Sequence, residues 1–432
     1  MKTYKYSDLS EQDIQKLVQR NVDPANHVRD IVEEVLANVK LHGDTALYDY
    51  ALKFEKVVLD KLFLNKAELT DLSANVSAEQ KAALDTAYKN IYTFHQSQLK
   101  TEDRVETMPG VTCWREIRPI EKVGLYIPGG TAVLPSTMLM LGIPAQIVGC
   151  REIVVCTPPQ KDGKVNPFIA YVALLLGIDK IYLAGGAQAI AAMAYGTDNI
   201  PKTDKIFGPG NQYVTKAKTI IQSTTTTAID MPAGPSEVLV IADENANPVF
   251  VAADLLAQSE HGVDSQAILV TNSFTIAQQT IEELNKQLPV LPRAEIAAKA
   301  IENSYSIITN TLDEAMDFSN RYAPEHLILA TANWQLLTPK IINAGSVFLG
   351  NLTPESAGDY ASGTNHTLPT SSFAKAYSGV SVDSFVKKIT FQHITPDGIK
   401  NIGPTVEILA ELEGLQAHKN AVSVRLKNNL SS

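Results

Sequence analysis

Short runs of β-branched residues that alternate with alanine-rich helical stretches are the strongest constraint on the fold of this chain. From about residue 118 these runs cover 122–127, 152–157, 180–186 and 205–210. A strand, a helix and a further strand in this order form a βαβ unit, in which the two strands are parallel. The pattern therefore predicts a parallel sheet covered by helices.

A second block with the same alternation begins near residue 229. Residues 7–101 instead carry apolar side chains at three- and four-residue steps, which is typical of amphipathic helices. The tail beyond about 380 is partly helical and too short for a core of its own. The candidate strands of the second block are 237–243, 267–272, 305–309, 326–331 and 346–350.

Composition narrows the functional classes. The chain of 432 residues carries a formal net charge of -10 and no long basic run, so we expect small-molecule chemistry and no nucleic acid partner. It has neither a signal-peptide pattern nor an apolar stretch long enough to span a bilayer, so we expect a cytoplasmic protein with no membrane partner. Cys113, Cys150 and Cys156 lack disulfide-framework or metal-knuckle spacing and are interpreted as reduced thiols.

Three candidate strands of the first block run directly into glycine-rich turns, at 126–130, 184–188 and 207–211. At the carboxyl ends of parallel strands, glycine lets the backbone approach a ligand, and the next helix N-terminus favours a phosphate. Together the turns predict a dinucleotide site. For any single turn, a purely structural role of the glycines explains the sequence about as well. The side chains suited to stack on a flat ring or to hydrogen-bond ribose and phosphate are Tyr126, Gln188 and Asn211.

The second block contains a candidate metal and acid/base group. Gln258 and His261 are three residues apart near the end of a predicted helix, so both can bind one metal, although a histidine there is more often a cap or a surface residue. Pro324 bends the chain ahead of Glu325 and His326, where a helix gives way to an apolar strand. A solvated turn is the alternative interpretation of this phrase.

Two further stretches add ionisable groups. The segment 354–366 contains Asp359 and His366, and its density of glycine and polar residues argues against a plain connector. In the tail, Glu413 and His418 are five residues apart. The remaining histidines lack a polar, glycine-flanked context and are interpreted as structural: His27, His42, His95 and His393.

The phrases around these residues resemble the histidinol dehydrogenase family. The resemblance implies an NAD-dependent dehydrogenase that oxidises L-histidinol to L-histidine through L-histidinaldehyde, the last step of histidine biosynthesis, with two NAD reduced and one zinc ion (Zn2+) per site. It also implies a homodimer with shared active sites. It rests on YIPGG, AGGAQAI, FGPGNQYV, IDMPAGPSEVLVIAD, SEHGVDSQ, PEHL, SVFLG, PESAGDYASGTNHTLPT and AHKNAV.

The resemblance also implies a role for each candidate residue. Glu325 and His326 would be the acid/base pair. The implied NAD contacts are Tyr126, Gln188 and Asn211. The implied zinc ligands are Gln258, His261, Asp359 and His418. The implied substrate contacts are Ser236, Gln258, His261, His326, Asp359, His366, Glu413 and His418.

The predicted fold class is α/β, with two tandem Rossmann-like parallel-sheet domains that lack a standard GxGxxG fingerprint, plus helical N-terminal and C-terminal segments. We expect residues 1–117 to pack with the second α/β domain. The tail is expected to complete the partner subunit's active site. The expected boundaries are 1–117 for the N-terminal segment, 118–228 for the NAD-binding domain, 229–380 for the metal- and substrate-binding domain, and 381–432 for the tail.

The chemistry divides between metal and bases. Zinc accepts imidazole and carboxylate ligands readily, and we expect it to orient the carbinol carbon against nicotinamide rather than to activate water. His326, with an unperturbed pKa of ~6.5, is expected to take the hydroxyl proton in the first oxidation. Glu325 is expected to activate the water that adds to the aldehyde.

Three alternatives stay open from sequence. A thiolate route like that of aldehyde dehydrogenases would use a cysteine, but none lies in a polar phrase. A zinc hydrolase needs the same glutamate, histidine and metal, but H-E-x-x-H is absent and the glycine turns would be unexplained. A non-catalytic metabolite-binding protein on this scaffold would bind ligand without turnover.

Overall fold

The computed structural model describes residues 1–20, 26–129, 133–232 and 234–429. Gly130, in the first predicted glycine turn, lies outside the described residues. No helix within these ranges is both long enough and apolar enough to cross a bilayer. The elements of the N-terminal part are β1 (Lys2–Lys5), α1 (Glu11–Val18), α2 (Asn26–His42), α3 (Asp44–Tyr50), β2 (Phe63–Asn65), α4 (Lys66–Ser73), α5 (Ala78–Gln96), β3 (Val105–Met108) and β4 (Val111–Pro119).

The first α/β block forms a six-stranded sheet in the order β2-β7-β6-β5-β8-β9. All of its neighbouring strands are parallel except β2, which is antiparallel to β7. The elements are β5 (Lys122–Tyr126), α6 (Pro135–Val148), β6 (Glu152–Thr157), α7 (Pro167–Leu175), β7 (Lys180–Leu183), α8 (Gly186–Tyr195), β8 (Lys205–Phe207), α9 (Gln212–Thr224) and β9 (Ala228–Ile229).

The second block forms a parallel six-stranded sheet in the order β1-β12-β11-β10-β13-β14. Separate apolar clusters cover its two faces. The elements are β10 (Glu237–Ala242), α10 (Pro248–Ser259), β11 (Gln266–Thr271), α11 (Phe274–Gln287), α12 (Ala294–Glu302), β12 (Tyr305–Ile308), α13 (Leu312–Tyr322), β13 (His326–Ala330), α14 (Trp334–Leu337), β14 (Ser346–Leu349) and α15 (Glu355–Tyr360).

The C-terminal tail contributes to a third sheet that the sequence patterns do not predict. Strand β15 pairs antiparallel with β4, and β4 with β3. Helix α17 packs on α16, which contacts all three strands of this sheet. The tail therefore begins as a strand and ends as two helices. Its elements are β15 (Val386–Ile394), α16 (Pro396–Leu412) and α17 (Gln416–Asn429).

The N-terminal segment divides between the two blocks. Strand β1 extends the edge of the second sheet, and Ile14 of α1 lies in the core of that block. Val28, Val32 and Ile91, from α2 and α5, instead lie in the core of the first block. The expectation that the segment packs with the second domain is therefore wrong for α2–α5, because these helices pack on helices α6–α9 of the first block. The domain boundaries stay a prediction.

The nine predicted strands of the two blocks all form, and the α/β fold class with two tandem parallel-sheet blocks is confirmed. Most strands end one residue before the predicted run does, and β7 and β8 end three residues before it. In the first block the end of every run except that of β6 belongs to the turn that follows, because glycine and proline do not continue the ladder. These turns carry the candidate nucleotide residues.

Candidate active site

A cavity of about 760 Å³ lies at the carboxyl ends of β5, β6 and β7. Its lining includes Tyr126, Gln188 and Asn211, the three predicted NAD contacts, and the turn glycines Gly129 and Gly186. Apolar side chains of α2 form one wall. The volume lies within the range of roughly 300–1,000 Å³ found for small-molecule and cofactor pockets. The three predicted residues therefore share one cavity of suitable size.

Hydrogen bonds hold the polar groups of this cavity in place. The hydroxyl of Tyr126 accepts a bond from the Gly186 N–H (3.0 Å), and burial raises the pKa of Tyr126 to about 12. Gln188 Nε2 donates to Glu55 Oε1 (3.3 Å). Asn211 caps α9, since its Oδ1 accepts from two backbone N–H groups of the first turn. Tyr126 and Gln188 are buried, whereas Asn211 is exposed at the rim.

The third glycine turn has a clear structural reason. Gly208 adopts φ +129°, and a Cβ there would lie 2.2 Å from the carbonyl oxygen of Tyr126. The buried ammonium of Lys218 donates to Gly208 O (2.9 Å) and pairs with Asp230, whose Oδ2 accepts from Gly208 N (2.9 Å). The structural role considered for a single turn thus applies here. It also fixes the position of Asn211, three residues further on.

The second group of candidate residues surrounds the amino ends of β10 and β13. Ser236, which is half-buried, directly precedes β10, and Glu325 directly precedes β13. The two strands are adjacent and parallel, with Val238 opposite His326. Ligand sites of open parallel sheets usually lie at the carboxyl ends of the strands. This group lies at the opposite edge, because Ser236 and Glu325 directly precede these strands and His326 is the first residue of β13.

His326 is the centre of this group. Its Nε2 lies 3.2 Å from Oδ1 of Asp359, and its Nδ1 lies 3.7 Å from Oε2 of Glu325 and 3.8 Å from Oε1 of Glu355. The side chains of all four residues are almost completely buried. One imidazole is therefore shared by three carboxylates.

This crowding shifts the pKa values strongly. Burial lowers the pKa of His326, but Glu355, Glu325 and Asp359 together raise it to about 10. Burial raises the pKa of Glu325 to about 7 and also raises that of Glu355. The unperturbed pKa expected for His326 is therefore wrong for the single chain. The sequence does not show how many carboxylates surround this imidazole.

Gln258 and His261 lie beside this centre at the end of α10, as their spacing predicts. Gln258 is fully buried. In the orientation that satisfies both amide atoms, it donates to Glu355 Oε1 (2.5 Å) and accepts from Glu237 N (2.7 Å). His261 is exposed on the turn after α10, where the charges of Asp359 and His326 reach its imidazole.

His366 joins the group through the backbone of Asp359. The Nδ1–H of His366 donates to the carbonyl oxygen of Asp359 (2.9 Å), and its Nε2 lies 3.0 Å from the hydroxyl of Thr137. Thr137 belongs to α6 of the first block. His366 therefore connects the candidate metal and acid/base group to the block that contains the cavity.

In the single chain, Glu413 and His418 do not lie in this group. Glu413 follows α16, His418 lies in α17, and both are exposed. Within the described ranges, neither side chain forms a hydrogen bond or ion pair with a member of the group. Helices α16 and α17 instead pack on each other and beside the three-stranded sheet.

Three buried or half-buried acids were missed by sequence reasoning. Glu355 starts α15, where an acidic residue is ordinary, and Glu237 starts a strand. Glu55 ends a π-helical turn far from any glycine motif, yet it lines the cavity beside Gln188. No local pattern distinguishes these glutamates from surface residues, so only the folded chain places them.

The donor set suits a divalent cation. Ligand atoms of His326, Glu355 and Asp359 all lie within 4.8 Å of one another. Oε2 of Glu355 is buried without a hydrogen-bond partner, and buried carboxylates are unfavourable unless a cation or a donor compensates them. Imidazole and carboxylate are both groups that metals accept. The group can therefore bind a metal ion next to an acid/base pair.

Known proteins resemble the chain over almost its whole length. A family model described as histidinol dehydrogenase matches residues 18–426. The histidinol dehydrogenase of Bacteroides thetaiotaomicron is 57% identical over 426 residues, which cover 99% of each chain. The chloroplastic histidinol dehydrogenase of Arabidopsis thaliana is 52% identical over 99% of this chain and 92% of its own. The crystal structure of histidinol dehydrogenase from Elizabethkingia anophelis superposes with a TM-score of 0.96 at 55% identity, covering 100% of this chain and 99% of that one.

Proposed function

Because this chain belongs to the histidinol dehydrogenase family, a family of NAD-dependent oxidoreductases, we propose that it oxidises L-histidinol to L-histidine through L-histidinaldehyde. Two NAD are reduced in this proposal, which places the protein at the last step of histidine biosynthesis. The observation that supports it most is the meeting of Glu325, His326, Asp359 and Gln258 from three separate stretches around one buried centre.

Zinc is the proposed metal. Gln258, His261 and Asp359 would hold it, together with His418 from a second copy of the chain. When bound, zinc would supply a positive charge and open coordination positions that orient the imidazole and amino nitrogens of histidinol. The unpartnered Oε2 of Glu355 and the excess of carboxylates around His326 support a cation at this place.

The first oxidation needs a base at the hydroxyl of the substrate while hydride leaves for NAD. His326 is the proposed base, because it is buried at the centre of the group and Asp359 and Glu355 orient its ring. Ser236, His366 and Glu413 are proposed to contact the substrate, with the metal ligands and His326. NAD is proposed to lie in the cavity, along Tyr126, Gln188 and Asn211.

The second oxidation needs a water molecule to add to the aldehyde before hydride can leave. Glu325 is the proposed base for this water, since burial raises its pKa to about 7, near the value that suits a base at neutral pH. Its Oε2 accepts the Glu237 N–H (2.9 Å), which fixes the carboxylate beside His326. The two adjacent residues thus serve successive steps.

A homodimer with shared active sites is part of the proposal. Glu413 and His418 are exposed in the single chain, and so are Leu409 and Leu412 on the neighbouring turns of α16. Exposed apolar residues beside two candidate site residues support contact with a second copy. A cytoplasmic location stays a prediction, and the Arabidopsis thaliana relative is a chloroplastic enzyme.

The test is an assay of the purified chain with zinc, NAD and L-histidinol, followed at the nicotinamide absorbance. We expect two NADH for each histidinol consumed. Histidinol binding without NAD reduction would favour a metabolite-binding protein. Ester or amide hydrolysis without NAD reduction would favour a zinc hydrolase. Either result would contradict the proposed function.

A further inference from the structure

A fourth buried carboxylate, that of Glu237, lies behind the Glu325–His326 pair. The backbone of Glu237 touches both residues: its N–H donates to Glu325 Oε2 (2.9 Å), and its carbonyl oxygen lies 3.4 Å from His326 Nδ1. The same N–H also lies 2.7 Å from the side-chain oxygen of Gln258. Small shifts of the Glu237 backbone would therefore move three of the candidate site residues.

The side chain of Glu237 is held from three directions. Its Oε2 accepts from Arg20 Nη1 (3.0 Å) and lies 3.1 Å from the hydroxyl of Tyr322, while its Oε1 accepts from the Ser371 N–H (2.9 Å). Glu237 is completely buried and the Arg20 side chain is 11% exposed. A carboxylate in this position is stable only when its charge is paired and its lone pairs are used.

Arg20 reaches beyond this ion pair. Its Nη2 donates to the carbonyl oxygen of Asp264 (2.7 Å), and its Nη1 lies 3.5 Å from the carbonyl oxygen of Ser236. Asp264 lies three residues after His261, on the turn that joins α10 to β11. One planar guanidinium therefore connects the start of β10 with the turn that contains a proposed zinc ligand.

We propose that Arg20 and Glu237 are a positioning pair, which aligns Glu325 through the backbone N–H of Glu237 and fixes the His261 turn through the carbonyl oxygen of Asp264. This inference rests on the proposed function. Neither side chain touches the reacting atoms, so the pair acts through the residues that it holds. Arg20 belongs to the N-terminal segment, which thereby takes part in the site although it is 217 positions from Glu237.

The test compares Arg20→Met with Arg321→Met. Arg321 pairs with Glu11 and likewise joins the N-terminal segment to the second block, but this ion pair is exposed and touches no member of the site. The measurements are the zinc dissociation constant, by competition with a chromogenic chelator, and kcat and KM for NAD, all well below the unfolding temperature of each variant.

For Arg20→Met we expect zinc binding weaker and kcat lower by about 10- to 100-fold, the range found when groups that support metal ligands are removed. KM for NAD should not change, because the cavity belongs to the first block. Arg321→Met should keep the native values. Loss of a merely structural contact would lower the unfolding temperature, but it would not lower zinc affinity and kcat while leaving KM for NAD unchanged.

Arg20→Lys covers the case in which Arg20→Met does not fold. Lysine keeps the charge but has a single nitrogen in place of the two that bond Glu237 and Asp264, so we expect a smaller loss in the same direction. Native zinc affinity and kcat in a folded Arg20 variant would overturn the inference alone. A wild-type chain that neither binds zinc nor oxidises histidinol would overturn the proposed function, and the inference with it.

Discussion

The Nε2 atom of His326 lies 3.2 Å from Oδ1 of Asp359, 33 positions further along the chain. The proposed base and a proposed metal ligand are therefore direct neighbours. The same carboxylate oxygen that a cation would attract also stabilises the protonated imidazole. The state of the base and the presence of the metal are linked through this one contact.

Metal removal is the first prediction. Chelation should abolish histidinol oxidation, and zinc should restore it, because a deprotonated His326 needs a positive charge that offsets the surrounding carboxylates. Asp359→Asn should weaken zinc binding by at least about 100-fold, since even supporting groups give 10- to 100-fold effects. Elemental analysis and the NADH rate measure both. Asp71→Asn, an exposed carboxylate on α4, is the control. An apoenzyme of undiminished rate would contradict the prediction.

Glu325→Gln should separate the two oxidations. The first hydride transfer should continue, because His326 is present, whereas the second should stop, because no base remains for the water. Rapid mixing with one equivalent of histidinol should then yield one NADH instead of two. Supplied histidinaldehyde should remain unoxidised. Equal loss of both half-reactions would show that the two residues do not divide the work in this way.

The fold was predictable where buried strands produce a recognisable run of apolar residues in the sequence. Strands buried on both faces, such as β6 and β10, read as continuous β-branched runs, so their positions follow from sequence. Strand β15 is mostly exposed and polar, and its partner β4 lies far earlier in the chain, with Val386 opposite Pro119. No local pattern encodes that pairing. The third sheet was missed for this reason.

The candidate site was predictable to a similar extent. The three-residue spacing of Gln258 and His261 and the bend before Glu325 are local signals, and the structure brings these residues together. Glu355 and Glu237 gain their importance only from contacts made by folding. Of the three acids that raise the pKa of His326, Glu325 and Asp359 were candidates from the sequence, whereas Glu355 was not visible there. The size of the shift was therefore not predictable.

Shared active sites predict complementation between two inactive variants. Glu325→Gln and His418→Ala chains, mixed and reassembled at equal amounts, should recover about a quarter of the native sites, since half of the dimers are hybrids with one intact site each. The NADH rate after subunit exchange measures this. Mixing Glu325→Gln with Asp359→Asn is the control. Both residues are expected to come from the same subunit at each site, so every site of the hybrid dimer would keep one of the two changes. No recovery despite confirmed exchange would refute shared sites.

A cysteine-free variant should remain fully active. Cys156 is buried, and burial raises the pKa of the Cys150 thiol to about 12, so neither forms a nucleophilic thiolate at neutral pH. Replacing Cys150 and Cys113 by serine and Cys156 by alanine should leave kcat within about twofold, as expected for changes outside the chemistry. Specific loss of aldehyde oxidation would instead support a thiohemiacetal route.

The carboxyl of Glu55 predicts a pH-dependent effect on stability. Burial in the cavity raises its pKa from the ordinary 4.5 to about 7, so the folded chain binds this proton more tightly than the unfolded chain. Stability is then undiminished below pH 4.5, falls as the pH rises through the window to 7, and stays reduced above it.

Glu55→Gln removes the ionisable group but keeps an oxygen that can accept from Gln188. Its unfolding temperature relative to wild type should therefore increase between pH 4.5 and 7 and then remain constant. Scanning calorimetry of both chains without NAD measures the difference. Glu34→Gln, exposed on α2, should show no such rise. A difference that is flat across this range, or that shrinks with rising pH, would mean that Glu55 is already ionised at low pH, as it would be if a cation or donor in the cavity compensated its charge.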